Sequence, residues 1–339
     1  MTWASVPKVS ILMPCYNAEL YIAEALESVL AQTWPNLEII VVDDGSTDRS
    51  VAVAQRYAPR GVGILEQRNA GAAAARNRAL AASTGDFVLF LDADDLVGRE
   101  HIASLYAAIV GAPRCIAMSQ WDRFYTSPSE AAFPSRRSYR DGSGVDWLVQ
   151  EWADARPMMQ PGMFLMPRGL PSQLGGWDER LTLIDDFEFF ARMIAGCDGV
   201  RFASPARLYY RSGLQGSLSG RKSRKAVESA FLSIMLGTQH LLAAEDSPRT
   251  RRACANVLQN FEYTYYPGHD DLQVRIRARI AELGGADLAP DGPPGFHRLK
   301  RIIGWRAARQ AQHFAERLGL NGASRKRFAR GLGPLISRE

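Results

Sequence analysis

Apolar positions in the first hundred residues fall into short runs separated by stretches with helical spacing. Val9-Ser-Ile-Leu-Met13 reads as a buried strand, and from Asn17 to about Gln32 the apolar residues Ile22, Ala25, Leu26, Val29 and Leu30 recur at helical intervals. Pro35-Asn36 breaks the chain before a second strand, Leu37 to Val42. A helix from about Ser50 to Tyr57, a short strand near Ile64-Leu65, an Ala-rich helix from Gly71 to Ala82 and a fourth strand, Phe87 to Leu91, complete the series. Alternation of this kind predicts right-handed crossovers and a mainly parallel sheet flanked by helices, an α/β architecture.

Beyond residue 100 the pattern is mixed. A loop rich in Ser, Pro and Arg runs from Thr126 to Gly144, followed by a helical stretch near Trp147 and the apolar segment Gly162 to Met166. Gly175-Gly-Trp-Asp178 reads as a turn and Asp185 to Met193 as a helix, and after about Gly220 the sequence is helical and Arg-rich with no strand-like alternation. This predicts an α/β unit over 1–220 and a helical, basic C-terminal region over 221–339.

Composition adds limits. With 339 residues, 46% hydrophobic and 23% charged, the chain is neither disordered nor a disulfide-stapled miniprotein. Its net charge of +5 is uneven: from Phe296 onward eleven basic residues face two acidic ones, so the remainder is mildly acidic. A basic tail on an acidic body does not match a nucleic-acid-binding face, and no nucleic-acid partner is expected. The tail, with Leu299, Ile302, Ile303, Trp305 and Phe314 among its arginines, fits either a helix packed on the body or a peripheral contact with an anionic membrane. Cys15, Cys115, Cys197 and Cys254 form no C-x-x-C pair, which indicates neither a zinc site nor a disulfide framework. With no secretory signal and no apolar run of about 18 residues, a cytoplasmic location is expected, peripheral to the inner membrane face if the tail binds lipid.

Chemistry concentrates where the strands end. In an open α/β sheet ligands sit beyond the carboxyl ends of the strands, and three of the four strands end in Pro14-Cys-Tyr-Asn17, Asp43 to Asp48 and Asp92-Ala-Asp-Asp95. Clustered carboxylates repel unless a cation compensates, so Asp92, Asp94 and Asp95 suggest a hard divalent ion, Mn²⁺ or Mg²⁺, able to bridge to a diphosphate. The simpler alternative is that Asp94 or Asp95 caps the helix beginning near Arg99. Gly45 to Asp48 suit a turn, whereas Asp43 or Asp44 at the strand end could accept the N3–H of a uracil.

Val9 to Asn17, Val41-Val-Asp-Asp-Gly-Ser-Thr-Asp48, Asn69-Ala-Gly71 with Ala75-Arg-Asn77, and Phe90-Leu-Asp-Ala-Asp-Asp95 together resemble the successive motifs of family 2 inverting glycosyltransferases with the GT-A fold. The match is dense to about residue 100 and thinner to about 220. It implies a nucleotide-sugar donor, UDP before GDP or dTDP, and a glycan or lipid-linked acceptor, as in polysaccharide or cell-envelope assembly. By position, Tyr16 and Asp44 would hold the base, with Pro14, Asp43, Asn69 and Gly71 in the same donor-binding motifs. Asp92 and Asp94 match the D-x-D pair, Asp94 being the principal metal ligand. Arg76 and Asn77 match the A-R-N segment; a helix N-terminus near Gly71 followed by an Arg also suits phosphate charge. Gly175 to Glu179 followed by Asp185-Asp186 resembles the family's G-G-F-D-E and E-D segments. This makes Asp186 the base, places Asp185 where a Glu is usual, and puts Trp177 at the acceptor. The family's Arg-x-His pattern is absent, since Arg211-Ser212-Gly213 stand there before Ser217-Leu-Ser219. Arg211 could neutralise the diphosphate, or this loop could be a lid. A sugar nucleotidyltransferase would be expected to carry a Gly-rich phosphate loop, which Pro14 to Asn17 is not. A noncatalytic nucleotide- or glycan-binding homologue is the other alternative.

Overall fold

The computed structural model describes residues 6–214, 223–292 and 294–317. Its first part follows the predicted alternation: β1 (Val9–Cys15), α1 (Ile22–Leu30), β2 (Leu37–Asp43), α2 (Ser50–Gln55), β3 (Val62–Glu66), α3 (Ala72–Ala82) and β4 (Phe87–Phe90). Then come β5 (Leu96–Val97), α4 (His101–Ile109), β6 (Cys115–Phe124), α5 (Gly144–Trp152), β7 (Phe164–Pro167), α6 (Gly169–Leu174), α7 (Asp185–Ala195) and β8 (Gly199–Arg211). Four helices follow: α8 (Arg224–Ala244), α9 (Pro248–Tyr265), α10 (Asp270–Glu282) and α11 (Pro294–Arg317), the last interrupted at Gly304.

All eight strands form one sheet in the order β3-β2-β1-β4-β7-β6-β8-β5. Strands β3, β2, β1 and β4 are mutually parallel, as predicted. The second half is mixed: β7 runs antiparallel to both β4 and β6, β6 and β8 are parallel, and β5 pairs antiparallel with β8. β1 shows the cause of the continuous apolar run: helices cover both faces of the sheet, so Val9, Ile11, Leu12 and Met13 are all fully buried. Removing one such side chain from water is worth about 1.5–3 kcal/mol. The long strands β6 and β8 carry Ser, Gln, Asp and Arg among their apolar residues and were not legible as strands by alternation.

The C-terminal helices pack directly on the sheet domain. Ser229 Oγ of α8 accepts hydrogen bonds from the backbone N–H of Thr182 (2.7 Å) and Leu183 (3.1 Å), and Ser233 Oγ donates to the Ile184 carbonyl at 2.6 Å. Ile184, left-handed at φ 50°, is the residue immediately before α7. The segment delivering Asp185 and Asp186 is therefore held from outside the α/β unit. α11 lies on α9: Trp305 packs against Tyr263 and Tyr266, and Arg306 reaches the buried Glu262 at 2.7 Å. Up to Arg317 this is the packed arrangement, although Ile302, Ile303 and Phe314 remain exposed; the rest of the basic tail lies outside the described residues. Among the described residues no helix is long and apolar enough to cross a membrane.

Candidate active site

The loops after β1 and β2 are stitched together. Asn17, held at φ 49°, accepts the Thr47 N–H on Oδ1 (2.8 Å), while its own N–H donates to Ser46 Oγ (2.9 Å). Ala18 N–H donates to Ser50 Oγ and Glu19 N–H to Asp48. Between these ties Tyr16, just beyond Pro14 and Cys15, is left 48% exposed on the rim. Asp43 and Asp44 are both buried beside it. Asp43 accepts the Ser46 N–H on Oδ2, and its Oδ1 is buried with no partner. Asp44 accepts from Gln67 Nε2 (2.7 Å), Ala70 N–H (2.8 Å) and Gly71 N–H (2.8 Å), and its carbonyl receives the Asn69 amide at 2.9 Å. Asp44 thus shapes the loop from Gln67 to Gly71, and one of its roughly four lone-pair sites is left for a ligand. Gly71, at φ 98°, starts α3 in a backbone conformation that side chains rarely adopt.

Arg76 stands at the centre of the site. Its side chain is only 6% exposed, and it donates to Asp185 Oδ2 at 2.6 Å and Asp92 Oδ1 at 2.8 Å, joining the end of β4 to the start of α7. Its guanidinium lies 4.4 Å from the Trp177 ring centroid. Trp177 is buried, stacked on Phe189 at 4.0 Å and edge-on to Phe90. The indole expected at the acceptor is therefore a platform beneath Arg76, because its faces are covered by Phe189 and the guanidinium. Asn77, expected at the donor, faces the same loop: Oδ1 accepts the Trp177 N–H, and Nδ2 donates to the Trp177 carbonyl and to Glu179. Both its amide protons are engaged there. A β-carbon on Gly176 would lie 2.5 Å from Asn77 Oδ1, which explains the glycine at that position.

Three carboxylates are held in unusual states. Burial, then the Asp92 charge, pushes Asp94 up to about 6. Burial, then Asp185, raises Asp186 to about 7 against the pull of Arg76. Asp95 is raised well above the ordinary carboxylate range by burial and by Asp94 and Asp92. Arg211 braces this loop, its N–H on Asp95 Oδ1 (2.9 Å), Nε on the Asp94 carbonyl (2.8 Å) and Nη2 on Glu24 of α1. The Asp94 carboxylate meets its own backbone N–H, and the second oxygen of Asp95 is buried without a partner. Excess negative charge with free oxygen donors suits a hard cation. Among the described residues no group of three or more His, Cys, Asp or Glu side chains could enclose a metal.

The profile of the family described as glycosyl transferase family 2 matches residues 10–170. The chain carries a family 2 glycosyltransferase domain. Glycosyltransferase GlyA of Streptococcus pneumoniae is 38% identical over 122 residues, 35% of this chain and 18% of GlyA. The uncharacterized glycosyltransferase YibD of Escherichia coli is 38% identical over 150 residues, 42% of this chain and 44% of YibD. The alignments thus span less than half of either curated relative. The crystal structure of S. aureus TarS 1-349 in complex with UDP-GlcNAc superposes with a TM-score of 0.67 over 92% of both chains, at 19% identity. The fold is of the GT-A type.

Within the family 2 domain and the segment after it, the structure gathers Tyr16, Asp43, Asp44, Asn69 and Gly71 at one end of the rim. Arg76, Asp92, Asp94, Asp185, Asp186 and Arg211 lie at the other. Ser217 to Ser219, part of the expected lid, lie outside the described residues. Sequence reasoning missed Arg192, which donates to the carbonyls of Leu174, Gly175 and Gly176 and to Glu188, four residues before it on α7. Burial pushes Glu188 up, but His240 and Arg192 together hold it below its usual range. The i,i+4 spacing of Glu188 and Arg192 was visible, whereas the three carbonyls were not.

Proposed function

We propose that the chain transfers a glycosyl group from a nucleoside-diphosphate donor, UDP in preference to GDP or dTDP, to a hydroxyl of a glycan or lipid-linked acceptor, inverting the anomeric carbon. The observation that carries this reading is the joining of Asp92 and Asp185 through one buried Arg76; on this reading Asp94 serves the donor and Asp186 the acceptor. On this reading the base lies against exposed Tyr16, with its N3–H directed to Asp43 Oδ1 or the remaining lone pair of Asp44. Asp94 and Asp92 would hold Mn²⁺ or Mg²⁺, which when bound offsets the charge of the departing diphosphate. Arg76 holds Asp92 and Asp185 in register. Asp186, with a pKa near neutrality, takes the acceptor hydroxyl proton as that oxygen forms its bond to the anomeric carbon. The bond from that carbon to the diphosphate oxygen breaks on the opposite side, and the electron pair leaves with the nucleotide. That geometry inverts the carbon.

UDP, GDP and dTDP titrated by calorimetry with and without Mn²⁺, on the native chain and on Asp94→Ala, test the donor half. Metal-dependent binding of one nucleotide, lost in the variant, is expected. Failure of all three to bind the native chain sinks the reading.

A further inference from the structure

Every arginine so far described in the site has a carboxylate partner: Arg76 has Asp92 and Asp185, Arg192 has Glu188, Arg211 has Glu24. Two others nearby have none. Arg123, on β6, and Arg136, in the loop that follows, are half-buried, and among the described residues neither has a carboxylate within the 4.0 Å of an ion pair. Both lie against one indole, Trp121: the Arg136 guanidinium is 4.3 Å from the ring centroid and that of Arg123 is 5.9 Å away. Arg123 is also 5.5 Å from the Tyr210 ring and makes a long hydrogen bond of 3.5 Å to Ser212 Oγ. Arg136 Nε is buried and makes no hydrogen bond. The acids of this region make their hydrogen bonds to other groups, although Glu151 feels the Arg136 charge through space. Asp122 Oδ2 accepts the N–H groups of Ala132 and Phe133, and Glu151 holds Ser138 and the Met158 N–H.

A partly buried guanidinium without an ion-pair partner in direct contact loses hydration that a ring face restores only in part. Such a pair is favourable when an anion completes it, and the guanidinium fork matches phosphate oxygens. Its location is specific. Arg123 is the β-ladder partner of Tyr210, and Ser212 directly follows the Arg211 that braces Asp94 and Asp95. Besides burial, the charges of Asp95, Asp94 and Asp92 raise the Tyr210 hydroxyl, so the cluster adjoins the carboxylate loop. In the sheet it sits on β6 and β8, beyond β7 and away from β1, β2 and β3, whose ends form the nucleotide side.

We propose that Arg123 and Arg136 form an anion subsite that recognises a phosphoryl group on the acceptor, so that the hydroxyl receiving the sugar belongs to a phosphate-bearing molecule. This rests on the glycosyl-transfer reading above and adds a substrate class to it. The competing source of the same chemistry is the donor's own diphosphate.

The test titrates glycerol 3-phosphate, as a phosphomonoester probe, into the full chain by calorimetry, alone and with UDP and Mn²⁺ at saturation. Binding that persists with nucleotide bound and weakens at least tenfold in Arg123→Gln and in Arg136→Gln, while UDP affinity stays unchanged, is expected. Arg137→Gln, an exposed neighbour, should bind the probe normally. Circular dichroism and melting of each variant separate lost binding from lost folding, and Arg123→Lys, which keeps the charge, should restore part of the affinity. Probe binding that vanishes when UDP is present, or variants that weaken UDP itself, assign the arginines to the donor and overturn the proposal. Absence of probe binding to the native chain also overturns it. If UDP does not bind the native chain, the donor reading fails, and the titration without nucleotide still decides whether the arginines hold phosphate.

Discussion

At the residue scale the site depends on where charge is unwelcome. Asp186 ionises near pH 7 because burial and Asp185 oppose its charge more than Arg76 supports it. As the proposed base it must be deprotonated, so kcat should rise with pH through about 7 and level off above it, measured as transfer rate at saturating substrates. Asp186→Asn should lower kcat by a factor of about 10²–10⁴ with nucleotide affinity retained. The linkage has a definite sign. Between the ordinary 3.8 and about 7 the folded chain keeps a proton that the unfolded chain has released, so this carboxyl lowers stability as pH rises across that window. The Asn variant should therefore melt at or above the native temperature at pH 8, an advantage that disappears toward pH 4. A variant that melts lower at pH 8 contradicts the strained-base picture. Arg76→Ala is the opposite case. It leaves Asp92 and Asp185 facing each other without a cation, and a loss of about 3–5 kcal/mol is expected by urea unfolding, as for one partner removed from a buried ion pair.

At the element scale the loop carrying Trp177 is positioned by two clamps, one from α3 and one from α7. Asn77 reads the backbone of Trp177 at both N–H and carbonyl, and Arg192 collects three carbonyls just before it. Arg192→Ala should lower kcat more than it raises the donor KM, because the Trp177 platform under Arg76 loosens while the nucleotide loops on β1 and β2 are untouched; initial rates over a donor series decide it. These clamps also mark how far sequence reading reaches. The β1 to β4 series was legible because β1, β2 and β4 are largely buried and so largely apolar, with glycine or proline at the breaks. The motif residues could be recognised, but the support role of Trp177 and Asn77 could not, since their partners lie about a hundred positions apart. β6 and β8 escaped notice because charged and polar side chains such as Arg123, Arg201 and Arg207 interrupt their alternation.

At the scale of the whole molecule, the first helix of the 221–339 region supports the α/β unit over 1–220 directly. α8 lies against α7 so closely that a β-carbon on Gly237 would collide with the Phe187 ring, and Ser229 and Ser233 tie down the strained turn at Ile184. Phe187 is one residue from Asp186, and its other neighbour is the buried Trp152, stacked at 4.8 Å. Removing α8 would expose this aromatic layer to water and release the segment that carries Asp186. A chain ending at residue 220 should therefore bind the dye ANS, lose near-ultraviolet dichroism and show no transfer, whereas a chain ending at 292, which keeps α8, α9 and α10, should fold and retain the site. Comparing the two truncations separates a role for α8 from one for the basic tail. If the 220-residue chain is compact and active, α8 is dispensable and the site is built by the sheet alone.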